Sequence, residues 1–134
     1  FTRYYEPEMG AGLMRQFWGF QKLIDPGDLP SIKLMTNRLE QSSAAANRRA
    51  VNLDPGYVTG ARVVLATTKD FAHRLYLGQG IFGEITLLFR HGSFEALPWT
   101  YPDYRSAAYH EFFRALRQRY LEQVQAPSPT AGGT

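Results

Sequence analysis

The fold is decided by one segment, RVVLATTKDFAHRLYLGQGIFGEITLLFRHGSFEALPWTYPDY (residues 62–104). Apolar residues alternate along 62–67, 73–77, 81–90 and 93–97, and a period of two is typical of strands that bury one face. Two tight turns, at Gly78-Gln79-Gly80 and His91-Gly92, contain the glycines that a positive φ favours. The segment therefore predicts a four-stranded antiparallel meander, in which each strand pairs with the next.

The turns also predict how the strands align. The predicted pairs that keep one face apolar are Val63 with Leu77, Leu65 with Leu75, Leu77 with Ile81, Leu75 with Gly83, Phe89 with Phe94 and Leu87 with Ala96. On the other face Arg74 lies opposite Glu84, a pair that favours this register by roughly 0.2–1 kcal/mol. A slip of one residue would invert the faces of a strand, so the agreement between these two turns and the connecting loop 68–72 supports the arrangement.

This arrangement brings polar side chains to one end of the sheet. Strand 93–97 returns beside strand 81–90, so residues 98–101 emerge near Glu84, at the same end as the loop 68–74. We therefore expect a site there, with His73, Asp70 and Glu84 as candidate catalytic groups. The candidate ligand-binding residues are Thr67, Thr68, Lys69, Arg74, Trp99, Tyr101, Asp103, Tyr104, Asp54 and Tyr57.

The rest of the chain supplies the supports of this sheet. Residues 13–24 read as a strand, and Asp28 is the expected N-cap of a helix over 29–46. A short strand near 50–54 precedes a Pro-Gly turn. The last helix begins after Ser106. Each helix has a predicted buried stripe. In the first helix it is Leu29, Ile32, Met35 and Leu39, and in the last helix it is Tyr109, Phe112, Phe113, Leu116, Tyr120 and Val124.

Length and composition indicate one α+β domain. The chain has 134 residues, of which 44% are hydrophobic, enough for one core. We expect the domain over 1–124 and a disordered tail over 125–134, since Pro, Ser, Gly and Thr dominate there. The chain contains no cysteine and has a formal charge of +3. There is no apolar run of membrane-spanning length, and we expect a cytoplasmic protein. The positive charge favours an anionic partner.

Three phrases resemble a known family: NLDPGY (52–57), LATTKDFAHRLYLGQGIFGEITL (65–87) and LPWTYPDY (97–104). They are similar to prokaryotic proteins with a domain of unknown function, some of which carry the label GTP-binding protein. The resemblance implies a ferredoxin-like beginning, with a β-α-β segment before the residue that matches Phe1. The GTP label has no counterpart here, because the chain lacks a G-x-x-x-x-G-K-[ST] loop and an N-K-x-D-like phrase.

Four functions remain open for the polar end of the sheet. An anion pocket would use the threonines, Lys69 and Arg74 on a phosphorylated or nucleotide-like molecule, with His73 as an acid or base. A divalent metal site would use Asp70, His73 and Glu84. RNA binding would use a basic sheet with exposed aromatic rings. A structural or assembly role would need no ligand, and a salt-bridge network explains the same charges.

Overall fold

We describe the protein from a computed structural model, which places residues 2–5, 15–47 and 52–125. Within these ranges the chain forms two helices, seven strands and two short 3-10 turns. In chain order the helices and strands are β1 (Thr2–Tyr5), β2 (Gln16–Gly19), α1 (Leu29–Asn47), β3 (Gly56–Val58), β4 (Arg62–Thr67), β5 (Arg74–Gly78), β6 (Ile81–Arg90), β7 (Ser93–Ala96) and α2 (Ala107–Gln125).

The core is an antiparallel sheet of five strands. Its order is β3-β4-β6-β5, and β7 also pairs with β6. β1 and β2 form a separate two-stranded sheet. The predicted fold class, α+β with an antiparallel sheet and two helices, is confirmed.

The predicted meander is wrong at its first turn, because β4 pairs with β6 and not with β5. The predicted pairs Leu65 with Leu75 and Val63 with Leu77 therefore do not form. β4 buries Val63, Val64 and Ala66, that is, side chains on both faces, which suits an interior strand. The loop between β4 and β5 must then pass from one side of β6 to the other.

The other predicted registers are largely confirmed. Arg74 pairs with Glu84 and Leu75 with Gly83, while Leu87 pairs with Ala96 and Phe89 with Phe94. At the glycine turn the observed closing pair is Gly78 with Ile81, so the predicted pair Leu77 with Ile81 is wrong. The loop is Gln79-Gly80, with φ of 57° and 78°, because a two-residue turn with positive φ matches the twist of the flanking strands.

A β-bulge in β6 controls which side chains share a face. Val63 pairs with Leu87 but Val64 pairs with Ile85, so Thr86 is the extra residue of β6. Because of this extra residue, Glu84 and Leu87 point to the same face of the sheet. That face is apolar at the Leu87 end and carries a buried carboxylate at the other.

Each helix covers one face. α2 packs on Val63, Leu87 and Phe94 through Tyr109, Phe112 and Phe113, which lie in the predicted stripe. Ser106 caps this helix, as predicted, by accepting a hydrogen bond from the Tyr109 N–H at 3.2 Å. Arg117 of the same helix lies with its guanidinium carbon 3.5 Å from the centre of the Phe89 ring.

α1 lies on the opposite face, against Val64, Ala66 and Ile81. Its predicted apolar stripe is only partly correct, since Leu29 is buried but Met35 and Leu39 are 46% and 53% exposed. Lys33 is buried instead. Asp28 directly precedes α1, as predicted, but its side chain makes no hydrogen bond with the described residues. Asp25 caps the 3-10 turn before α1 by accepting a hydrogen bond from the Gly27 N–H.

Two predicted strands differ in position. Residues 52–55 are not a strand, and β3 begins at Gly56, where we expected a turn. A Cβ on Gly56 would lie 2.2 Å from the carbonyl oxygen of Val64, so only glycine lets β3 approach β4. The strand expected over 13–24 is limited to β2 within the described residues. The predicted tail lies outside them, apart from Gln125, which ends α2.

Candidate functional site

Glu84 is the centre of a buried polar cluster. Its side chain is 6% exposed, and Oε1 accepts hydrogen bonds from His73 Nε2 at 2.7 Å and from Arg74 Nε at 3.1 Å. The hydroxyl of Thr86 lies 3.3 Å from Oε2. A buried carboxylate is stable only when it is paired and hydrogen-bonded, and Glu84 meets both conditions.

The chain positions this cluster through the β5–β6 pairing. Arg74 and Glu84 are direct cross-strand partners, so their side chains share one face of the sheet. Arg74 also donates through Nη1 to the Lys69 carbonyl at 3.1 Å, and its backbone N–H donates to the Phe71 carbonyl. These bonds hold the loop between β4 and β5 against the cluster.

Trp99 and Thr100 close a gap beside β6. β5 pairs with β6 only as far as Glu84, and β7 pairs from Leu87 onward. Between these stretches, Trp99 Nε1 donates to the Ile85 carbonyl at 2.8 Å and Thr100 Oγ1 donates to the Thr86 carbonyl at 2.6 Å. The Trp99 ring also stacks on His73, with centroids 4.9 Å apart. This contact fixes the orientation of the imidazole.

An open space of about 880 Å³ lies next to the cluster, between α1, the end of β4 and residues 101–104. We call it the cleft. Nine of the predicted site residues line it: Asp54, Thr67, Thr68, Lys69, Arg74, Glu84, Tyr101, Asp103 and Tyr104. The folded chain therefore brings most of the candidate residues to one place, although the roles we expect for them stay predictions.

The other candidates lie elsewhere. His73 and Trp99 do not line the cleft and are connected to it through Glu84. Asp70 is exposed and makes no hydrogen bond or ion pair with another described residue. Tyr57 lines a smaller cavity under β3 and β4.

Several cleft residues escaped the sequence analysis. α1 contributes Lys33, Asn37, Glu40 and Gln41, whose spacing of four, three and one places them on one helical face. The sequence shows this polar stripe, but hydrophobic periodicity predicts the apolar stripe beside it as the buried face. Arg15 also lines the cleft and gave no signal in the sequence.

Most charges of the cleft are partnered within the chain. Arg15 forms an ion pair with Asp103 at 3.0 Å, and Arg74 is paired with Glu84. Burial raises the pKa of Tyr104 well above its ordinary value, against the opposing effect of the neighbouring Arg15. Tyr104 therefore stays neutral, and its ring stacks on Phe113 and meets Tyr109 edge-on in the wall of the cleft.

Lys33 and Glu40 hold the segment before β3 on α1. Lys33 Nζ donates to the Leu53 carbonyl at 3.3 Å, and Glu40 Oε2 accepts from the Leu53 N–H at 2.9 Å. Side chains of α1 thus bind both backbone polar groups of Leu53. The anchored backbone places the next residue, Asp54, at the edge of the cleft.

The described residues contain no group of three or more His, Asp or Glu side chains arranged to hold a metal ion. Of the three candidate ligands, His73 and Glu84 are hydrogen-bonded to each other and Asp70 stands apart. The geometry therefore gives the metal hypothesis no support.

The fold and the cleft define an α+β domain in which an antiparallel sheet, covered by one helix on each face, presents a charged cleft at one end. The chain belongs to the family described as Domain of unknown function (DUF4416), whose sequence model matches residues 1–120. This confirms the kinship expected from the three phrases. No curated protein and no solved structure matches the chain. Neither α1 nor α2 is apolar over the length needed to cross a membrane.

Proposed function

We propose that the domain binds a small anionic molecule, phosphorylated or nucleotide-like, in the cleft. The observation that carries this proposal is Lys33. Lys33 is only 7% exposed. Its ammonium group donates to the Leu53 carbonyl at 3.3 Å, but no carboxylate of the described residues lies within 4.0 Å of it. Burying an ammonium group costs several kcal/mol unless opposite charge or good hydrogen bonds offset that cost. A bound anion supplies both.

Lys69 gives a second positive group at the cleft. It is exposed, and its ammonium group bonds to no other described side chain. Its backbone N–H donates to the hydroxyl of Thr67 at 3.2 Å, which orients this part of the loop. Thr68 follows Thr67 at the end of β4, so two hydroxyls and one ammonium group are available to a phosphate.

The carboxylates of the cleft oppose an anion less than their number suggests. Glu84 is neutralised by Arg74, Asp103 by Arg15, and Glu40 accepts from a backbone N–H. Asp54 alone among them forms no hydrogen bond with the described residues. Among the described residues the cleft thus has one free carboxylate, on Asp54, and one free ammonium group, on Lys69, and a ligand with an anionic group and a hydrogen-bond donor satisfies both.

We assign no reaction. His73 is the best placed group for proton transfer, but its Nε2 is bonded to Glu84 and the ring does not line the cleft. Asp70 forms no hydrogen bond or ion pair with His73 or Glu84. The proposal is therefore binding, and a catalytic role for these three residues stays a prediction.

The proposal is tested by calorimetric titration of the protein with inorganic phosphate and with guanosine monophosphate. We expect saturable binding that weakens by roughly 10- to 150-fold in Lys69→Ala, the equivalent of losing a charge-assisted hydrogen bond worth about 1.5–3 kcal/mol. Lys33→Met should weaken it as well. Lys22→Ala is the matched control, because Lys22 is an exposed lysine outside the cleft.

Two results contradict the proposal. One is the absence of saturable binding for every anion tried, and the other is an equal loss in Lys22→Ala and Lys69→Ala, which indicates nonspecific attraction. The RNA alternative predicts instead an affinity for single strands that falls steeply with salt.

A second candidate function is self-assembly through β5. This strand lies at an edge of the five-stranded sheet, and its Leu75, Tyr76 and Leu77 are 72%, 62% and 40% exposed. An exposed apolar edge strand is prone to pair with another chain. Light scattering after size exclusion should then show a dimer that Leu75→Lys converts to a monomer. A monomer at all concentrations in the unaltered protein excludes this candidate.

A further inference from the structure

A second, smaller cavity adjoins the cleft at the edge of the apolar core and is partly open to solvent. It has a volume of about 90 Å³ and lies between β2, β3, β4 and α2. We call it the apolar pocket. Its walls include Phe17, Val58, Val63, Phe113 and Leu116.

The apolar pocket and the cleft have a common wall. Asp54, Leu65 and Tyr104 line both of them. A molecule bound in the cleft beside these three residues is therefore next to the pocket as well. The two spaces differ in chemistry, because charged groups surround the first and aromatic and aliphatic side chains surround the second.

The pocket has an exposed rim and an apolar interior. Trp18 and Asp54 at its rim are exposed. The inner walls are aromatic and aliphatic side chains, which offer water few hydrogen-bond partners and accept apolar groups. The pocket is therefore suited to the apolar part of a ligand whose charged part stays in the cleft.

We infer that the ligand of the cleft carries a small apolar group next to its anionic group, and that the apolar pocket binds this group. The inference rests on the proposed function and narrows it. A cavity of roughly 150 Å³ holds benzene, so a pocket of about 90 Å³ accepts a shorter group, on the order of three to five carbon atoms. A nucleobase is too large for it. The ligand class is thus a small organic phosphate with an alkyl group, rather than a nucleotide.

The experiment is a calorimetric titration of the protein with the series of alkyl phosphates from methyl to hexyl, with inorganic phosphate as reference. Each buried methylene should strengthen binding by about fourfold, the equivalent of about 0.8 kcal/mol. We expect this gain up to about four carbons and no gain beyond, because the pocket is then full. The same series is measured on Val58→Phe, in which the larger side chain fills the pocket.

In Val58→Phe the affinity should not rise with the length of the alkyl chain, while methyl phosphate binds as in the unaltered protein. Val58→Leu is the milder substitute if the first variant does not fold, and it should end the gain one or two carbons earlier. Val124→Phe, on an exposed part of α2, is the control for added aromatic surface and should leave the series unchanged.

The outcomes separate the two proposals. Binding of all phosphates with equal affinity, or tighter binding of guanosine monophosphate than of butyl phosphate, overturns the apolar-group inference and leaves the proposed function standing. A chain-length gain that persists in Val58→Phe overturns the inference too, because another surface then binds the alkyl group. Failure of every phosphate to bind overturns both.

Discussion

Replacing Glu84 with Gln tests whether the buried cluster holds the site together. The substitution keeps the size of the side chain but removes the negative charge that His73 and Arg74 share. Their side chains are 17% and 10% exposed, so solvent cannot replace the lost partner. Removing one member of a buried ion pair costs about 3–5 kcal/mol, and the remaining amide oxygen places the expected loss near the lower end, about 3 kcal/mol.

Urea unfolding followed by far-ultraviolet circular dichroism measures this loss. With a slope of about 1.5 kcal/mol per molar urea, the midpoint should fall by about 2 M. Glu111→Gln is the matched control, because Glu111 forms an equally short pair with Arg114, at 2.6 Å, on the exposed face of α2. Solvent screens that pair, so its midpoint should not move.

A double-mutant cycle completes the test. Combining Glu84→Gln with Arg74→Met should give a loss smaller than the sum of the single losses, by about 1–3 kcal/mol, because the two residues contact each other directly. The reasoning is refuted if Glu84→Gln and Glu111→Gln shift the midpoint equally, or if the effects at Glu84 and Arg74 add.

Three further predictions concern stability. Gly56→Ala should destabilise the domain by at least about 2 kcal/mol in the same urea assay, since the new Cβ meets the Val64 carbonyl. Gly60→Ala is the control and should be close to neutral, because a Cβ there makes only an ordinary contact at 3.5 Å. Thr100→Val should cost about 1–3 kcal/mol, because it leaves a β6 carbonyl without its partner, and equal midpoints for the two proteins would count against the gap-closing role. The raised pKa of Tyr104 predicts a stabilising contribution that is fully present below pH 10, the ordinary tyrosine value. Above pH 10 the free energy of unfolding should fall by up to about 1.4 kcal/mol per pH unit. In Tyr104→Phe it should fall less, and identical pH profiles of the two proteins from pH 9 to 11 would contradict this.

Local pairings could be predicted from the sequence because short turns determine them. The alignment of Arg74 with Glu84 and of Phe89 with Phe94 follows from turns of two residues, in which only one register buries the apolar face. The α2 helix was predictable for a similar reason, since Ser106 caps it and its buried positions recur every three to four residues.

The partner of β4 could not be predicted by the same logic. Alternation predicts one buried face, but Val63 and Val64 are buried on opposite faces, under different helices. Only the position of both helices shows that β4 is interior. The Thr86 bulge also has no marker in the sequence, and without it Glu84 and Leu87 would point to opposite faces.

The inward face of α1 differs from the predicted one for a physical reason. Part of this helix borders the cleft rather than the core, so Lys33 and Glu40 point inward to bind the Leu53 peptide, and Met35 points outward. Hydrophobic periodicity identifies the face that borders a core. It cannot identify a face that borders a polar space.

The most direct test of the central claim is a nuclear magnetic resonance titration of the labelled protein with butyl phosphate. We expect saturable shifts at the backbone amides of residues 37–41, 52–54 and 67–69, which border the cleft, and of residues 56–58, which border the apolar pocket. In Lys69→Ala the same shifts should need a roughly 10- to 150-fold higher ligand concentration. Shifts that do not saturate, or that centre on the β5 edge instead of the cleft, would contradict the claim that the cleft is the binding site.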